Sequence, residues 1–267
     1  MIEINVIEYD KKHEKLSFIL KNANPVLANT IRRLIVDSVP TMAIEIVEFK
    51  KNSSVLYDEI VAHRLGLLPL TTDLKSYIPL EKSKLEDPYE DPRCTLKLTL
   101  SAKGPGAVYA SEIKSKDPKV KPVFPKVPIV KLLKGQDIEL QATAVLGYGK
   151  AHAKWSPGLA YYRYKPHIEI VKQVTNPDQV VKSCPTVFES KNGKLQINKD
   201  NLFECNTLDQ AREIAKPEGA IKLTESDTEF IFKIESWGQL SCKEILIKAV
   251  DSFDEQVDLF IEEIKKS

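Results

Sequence analysis

The side chains weighed for chemistry are the four histidines, the four cysteines, the turn at Gly147–Lys150 and the neighbouring carboxylates Asp58 and Glu59. Gly147-x-Gly149-Lys150 invites a phosphate-loop reading. A Walker loop needs G-x-x-x-x-G-K followed by Ser or Thr, and a dinucleotide loop needs G-x-G-x-x-G ahead of a helix. The stretch instead runs through Ala151-His152-Ala153-Lys154 into Trp155-Ser156-Pro157, so a structural or subunit-contact turn is expected. His13, His63, His152 and His167 are scattered, whereas zinc needs three or four ligands at close quarters. There is no H-E-x-x-H, and no G-x-S-x-G elbow marks a nucleophile. Asp58 and Glu59 open a helical pattern; helix neighbours point about 100° apart, so the two do not converge as catalytic carboxylates must. They suit the positive end of a helix instead. Cys94, Cys184, Cys205 and Cys242 form no C-x-x-C pair. No catalytic, cofactor-binding or metal residue is expected.

The elements that must position these residues centre on the stretch from Asn22 to Leu70. Asn24 stands where a helix N-cap belongs, and Pro25 follows at the first helical position, where its missing N–H costs nothing. Leu27, Ile31, Leu34, Ile35 and Ser38 share one face of the helix that follows. Pro40 stops it, because a residue before proline leaves the α region. Arg32 and Arg33 flank the apolar face. Two solvated charges is one reading of them; anchors at an interface, where the planar guanidinium makes several directed hydrogen bonds, is the other. A second, shorter helix is expected at residues 58–66, ended by Gly66 and Pro69 and carrying Asp58, Glu59 and Arg64. At the other end of the chain Leu246, Val250, Phe253, Val257, Phe260 and Ile264 are spaced 4, 3, 4, 3, 4. That is a heptad-type seam, built to pack on a helix. Core packing and a subunit interface both fit it.

At 267 residues and a formal net charge of +1, the chain has room for one to three domains. It lacks the basic excess of a protein that grips nucleic acid by itself. No apolar run approaches the roughly 18 residues needed to span a bilayer, and no secretory leader pattern opens the chain. A cytoplasmic protein is expected. Along the chain, alternation predicts an N-terminal β-hairpin with Ile2, Ile4 and Val6 on a buried face, answered by Leu16, Phe18 and Leu20. Strands are expected at 43–49, 94–100, 108–113, 137–147, 167–174 and 229–235, with Phe230, Phe232 and Ile234 on one face. A surface loop is expected at 71–93, a proline-broken segment at 115–128, a turn at Asn192-Gly193 and a helix at 207–215.

Asn29, Ile31, Arg32, Arg33, Val39 and Pro40, then Asp58, Glu59, His63–Leu67, Pro69 and Leu70, form two blocks in order. Gly147–Pro157 with Tyr161-Tyr162-Arg163, and Glu229–Gly238, supply a third and a fourth. Together they resemble the α-like subunits of cellular RNA polymerases, with length and wording most similar to the archaeal D branch of DNA-directed RNA polymerase. The resemblance implies an α+β fold: a discontinuous dimerisation domain at 1–45 and 223–267, an inserted β-rich domain at 46–165, and a small module at 166–222. It implies a non-catalytic transcription subunit. The first helix and the C-terminal helix would pair with an L-type subunit of the same dimerisation fold. The pair would nucleate assembly with small N and P subunits and the large catalytic subunits, meeting DNA only through the complex. The interface residues so implied are Leu27, Ile31, Arg32, Arg33, Leu34, Asp58, Glu59, Arg64, Leu246, Val250, Phe253, Val257, Phe260 and Ile264. Some relatives hold an iron–sulfur cluster on a Cys-Pro followed about twenty residues on by C-x-x-C-x-x-C. Here Cys184-Pro185 and Cys205 match, but Leu208 and Ala211 stand at the next two ligand positions, so no cofactor is expected. Val187, Phe188, Leu202, Phe203, Leu208 and Ile214 would form a core in its place. The rival reading is a stand-alone metabolic enzyme using the Gly147–Pro157 loop.

Overall fold

The computed structural model describes residues 1–198, 205 and 207–266. In chain order the elements are β1 (Glu3–Asp10), β2 (Lys15–Lys21), α1 (Pro25–Asp37), β3 (Pro40–Asn52), α2 (Asp58–Gly66), β4 (Thr95–Lys103), β5 (Gly106–Tyr109), β6 (Lys114–Ser115) and β7 (Pro128–Leu132). There follow β8 (Asp137–Tyr148), β9 (Gly158–Ile170), α3 (Pro177–Ser183), β10 (Phe188–Lys191), β11 (Lys194–Ile197), α4 (Leu208–Ile214), β12 (Ile221–Ser236) and α5 (Cys242–Lys266). The chain is α+β, with two compact units: Met1–Ile7, Ser17–Asn29 and Tyr162–Lys233 in one; Glu8–Leu16, Thr30–Tyr161 and Ile234–Ser267 in the other.

In the first unit a four-stranded sheet runs β1-β2-β12-β9. Its core is aromatic. Phe18 stacks on Phe232 with ring centroids 5.1 Å apart, and Tyr162 meets both Phe230 and Phe232. Such ring pairs add to the burial of the rings themselves. The expectation for β1 fails: Phe18 and Leu20 are buried, but Ile2, Ile4 and Val6 are exposed. The reason is position, since β1 is the edge strand of its sheet and both of its faces stay open from residue 1 to 6.

The small module lies in the same unit. Asn192 and Gly193 both take positive φ, at 53° and 73°, as a two-residue hairpin turn requires. They join β10 to β11, with Lys191 opposite Lys194. The helix expected at 207–215 forms as α4, while α3 had no counterpart in the sequence reading. Asn176 ties the two together: its amide donates to the Ile214 carbonyl at 3.0 Å, and its side-chain oxygen accepts from the Lys216 N–H at 2.8 Å. Val180, Val187, Phe188, Leu195, Leu208 and Ala211 are buried in the module's core. Leu202 and Phe203 lie outside the described residues.

The second unit is built on the sheet β3-β8-β4-β6 and the ribbon β5-β7. β3 pairs antiparallel with β8 from Pro40 opposite Tyr148 to Asn52 opposite Ile138. Leu98, Leu100, Ile138, Leu140 and Leu146 bury one sheet face against Val61 and Leu65 of α2. The strand expected at 108–113 stops at Tyr109, where a single 3-10 turn of Ala110–Glu112 takes over. Glu112 stabilises that turn by accepting the Tyr109 N–H at 2.8 Å. Residues 71–93 form no strand, but they are more than a surface loop. Tyr77 is buried, as is Asp91, whose carboxylate accepts from Arg93 Nη2 at 2.8 Å and from Ser83 Oγ at 3.1 Å. The Arg93 guanidinium holds that carboxyl down at about 2.

Candidate subunit-assembly surfaces

The Asn24 side chain accepts the Leu27 N–H at 2.8 Å, so the cap read from the sequence sets the start of α1. Leu34 and Ile35 of α1 are buried, while Leu27 and Ile31 are half-buried. Ala28 is fully buried; its small side chain gave no signal in an apolar count. Arg32 is partly buried. Arg33 is exposed, with Nε 3.6 Å from the Asp37 carboxylate one turn on.

Within α2, Val61 and Leu65 turn inward. Arg64 spends its guanidinium on the Ile129 carbonyl of β7, which fixes the helix to the ribbon. The Asn52 amide donates to Asp58 at 2.7 Å, and Glu59 is exposed at the helix start. Asp58 therefore faces the Asn52 amide and Glu59 faces solvent. Around them Val55, Tyr57, Ile60 and Leu67 are all exposed. The sequence reading missed this apolar patch because its members lie off the helix's inward face. The signal that could have found it is the count of large apolar residues left over once that face is drawn.

The C-terminal helix divides in two. Cys242, Ile245 and Ala249 are buried, and burial pushes the Cys242 thiol up to about 11. Leu246 is half-buried. From there the seam opens: Val250, Phe253, Val257, Phe260 and Ile264 are 49, 41, 39, 67 and 58% exposed. Polar contacts tie this half to its unit. Ser252 Oγ donates to the Ser38 carbonyl at 3.2 Å, and Lys82 pairs with Glu255 at 2.9 Å.

The Gly147–Pro157 loop is a latch. A Cβ on Gly147 would fall 2.4 Å from the Trp155 ring, and one on Gly149 would fall 1.9 Å from the Val36 carbonyl oxygen. Both glycines are thus required by close approach. Lys150 N–H donates to the Asp37 carbonyl at 3.1 Å. Trp155 is buried and donates to the Val145 carbonyl at 3.3 Å. Lys154 lies 4.3 Å from the Trp155 ring centroid and pairs with Glu45. The loop thus spends the Lys150 backbone N–H, the Lys154 ammonium and the Trp155 indole N–H on contacts within its own unit. In the small module the structure joins Cys184 to Cys205 in a disulfide, a pairing that the sequence left open. Leu208 and Ala211 are buried beside it.

The chain combines a β-rich module with a C-terminal amphipathic helix whose second half is exposed. Residues 44–158 match the RNA polymerase Rpb3/RpoA insert domain. The chain is 37% identical to DNA-directed RNA polymerase subunit Rpo3 of Pyrococcus furiosus, over 99% of this chain and 98% of that one. It is 36% identical to the Rpo3 subunits of Methanosarcina acetivorans (94 and 93% covered) and Thermococcus kodakarensis (100 and 99%). The chain belongs to the Rpo3 family of DNA-directed RNA polymerase subunits. The stand-alone metabolic enzyme is not supported. Among the described residues no helix is long and apolar enough to cross a membrane.

Proposed function

We propose that this chain is the assembly scaffold of its RNA polymerase and pairs through α1 and the open half of α5 with an L-type subunit. As a polymerase subunit its partners are other polymerase subunits. The finer reading is that the pair then joins small N and P subunits and the large catalytic subunits in the cytoplasm. The observation that carries it is the exposed seam of α5. Burying one large apolar side chain is worth about 1.5–3 kcal/mol, so leaving five of them open is costly for a chain that works alone. Their heptad spacing fits a second helix. The α2 patch with Asp58 and Glu59 supports a separate contact with a large subunit, and Arg33 stands free of the core to reach one. The chain contributes no catalytic carboxylate, and its small module is held by its own core rather than by a cluster. The burial of Leu208 and Ala211 in that core supports this. Protein purified without oxygen is expected to be colourless, with no stoichiometric iron or labile sulfide.

The test is a native pull-down with mass spectrometry. Tagged chain should bring down one smaller partner in equal amount and several larger chains. Recovery of the tagged chain alone would overturn the reading.

A further inference from the structure

The basic residues are unevenly spread. Between Lys97 and Lys134 stand nine lysines, no arginine and two carboxylates, a net +7 in a chain whose total is +1. The rest of the chain is therefore acidic, and this segment is its one strongly positive region.

The β5–β7 ribbon shows how part of that charge is displayed. Val108, Val130 and Leu132 are buried on its inner face. Ala107 pairs with Lys131 and Tyr109 with Pro128, which puts Lys131 and Tyr109 on the outer face. The chain runs on alongside: Ala110 N–H donates to the Val127 carbonyl at 2.9 Å and Ser111 N–H to that of Pro125 at 3.0 Å. Lys126 and Phe124 stand in this adjoining segment and are exposed. Tyr109 is 41% and Phe124 50% exposed. Lys121, Lys126, Lys131 and Lys134 are all exposed. None of the four has an ion-pair partner among the described residues. Glu112, beside Tyr109, is engaged by the Tyr109 N–H at 2.8 Å.

Unpaired ammonium groups interleaved with open aromatic rings are the two ingredients of sequence-independent single-strand binding. Lysines track phosphates as point charges, and rings stack on bases. An acidic peptide would match the charge but would give the rings nothing to stack on. We propose that the outer face of the β5–β7 ribbon, with Lys131 and Tyr109, together with the exposed segments that adjoin it in the chain and carry Lys121, Phe124, Lys126 and Lys134, binds single-stranded nucleic acid without reading its sequence. This departs from the expectation that nucleic acid meets the chain only through the complex, and it stands independently of the assembly role.

The experiment is fluorescence anisotropy of a labelled 15-nucleotide oligo(dT) with the purified full chain. Saturable binding at 50 mM salt is expected. If four phosphates are contacted, affinity should fall about 50-fold between 50 and 200 mM salt. Lys121→Glu, Lys126→Glu, Lys131→Glu and Lys134→Glu together should weaken binding at least tenfold. Tyr109→Ala with Phe124→Ala, lysines intact, should weaken it about tenfold or more. The same four-fold reversal at Lys11, Lys12, Lys172 and Lys222, which are exposed elsewhere, should change it less than about twofold. Circular dichroism checks that each variant is folded, and Lys→Gln replacements substitute for any reversal that is not. Absence of binding at 50 mM salt, an equal loss in the control variant, or no loss in the ring variant would each overturn the proposal. So would a labelled poly-glutamate peptide binding as tightly as the oligonucleotide, which would assign the face to an acidic protein.

Discussion

The two halves of α5 carry apolar side chains at the same spacing and meet opposite fates. In the first two turns Ile245 and Ala249 are buried with Cys242; from Val250 onward every residue of the helix except Ser252 is exposed. Helical periodicity states that a face exists, not what covers it. The buried register is itself offset by one residue from the seam read in the sequence, Ile245 and Ala249 rather than Leu246 and Val250. The chain's own core claims one stripe and leaves its neighbour vacant. A helix end without tertiary packing is marginal in water.

The contrast can be broken at either half. The largest effect is expected from Ile245→Ala. Truncating a buried isoleucine costs about 2–5 kcal/mol, which should appear as a lower denaturation midpoint; a loss below about 1 kcal/mol would show that this half is not core. Phe253→Glu with Val257→Glu should do the reverse. Stability of the free chain should stay within about 0.5 kcal/mol, as for exposed positions generally, while affinity for the L-type subunit falls at least about 100-fold. Unfolding of the double variant would place these side chains in the chain's own core, and unchanged pairing would remove them from the interface. Arg33→Ala sharpens the comparison on α1. Its exposed pair with Asp37 is worth about 0–1 kcal/mol, so urea melts should barely move. A deficit in joining the large subunit, with the heterodimer intact, is the expected mark of an anchor, and wild-type assembly would leave Arg33 a solvated charge.

Much of the fold was legible where local chemistry decides it. The Asn24 cap, the Asn192-Gly193 turn, the strand β8 and the bounds of α2 each follow from one or two residues whose backbone preference is strong. The resemblance supplied the α+β class and the polymerase setting. What stayed hidden depends on distant partners. Ile2, Ile4 and Val6 alternate as a buried face should, but an edge position leaves them open. Gly147 and Gly149 were expected in a structural or subunit-contact turn, but the groups that require them, the Trp155 ring and the Val36 carbonyl, are set by tertiary packing that no motif spells out. Tyr57 and Ile60 carried no pattern at all, because an exposed patch is defined by what fails to cover it. The pairing of Cys184 with Cys205 rests on where two segments 21 residues apart are brought together, which spacing alone did not decide.

The central claim is that the open half of α5 is completed by a partner's helix. Amide hydrogen exchange on the free chain and on its complex with the L-type subunit tests it most directly. In the free chain, residues 242–249 should be protected and residues 250–266 should exchange quickly. On complex formation the second group should gain at least about tenfold protection while the first changes little. Fast exchange over 250–266 in an otherwise stable complex, or full protection there already in the free chain, would contradict the account.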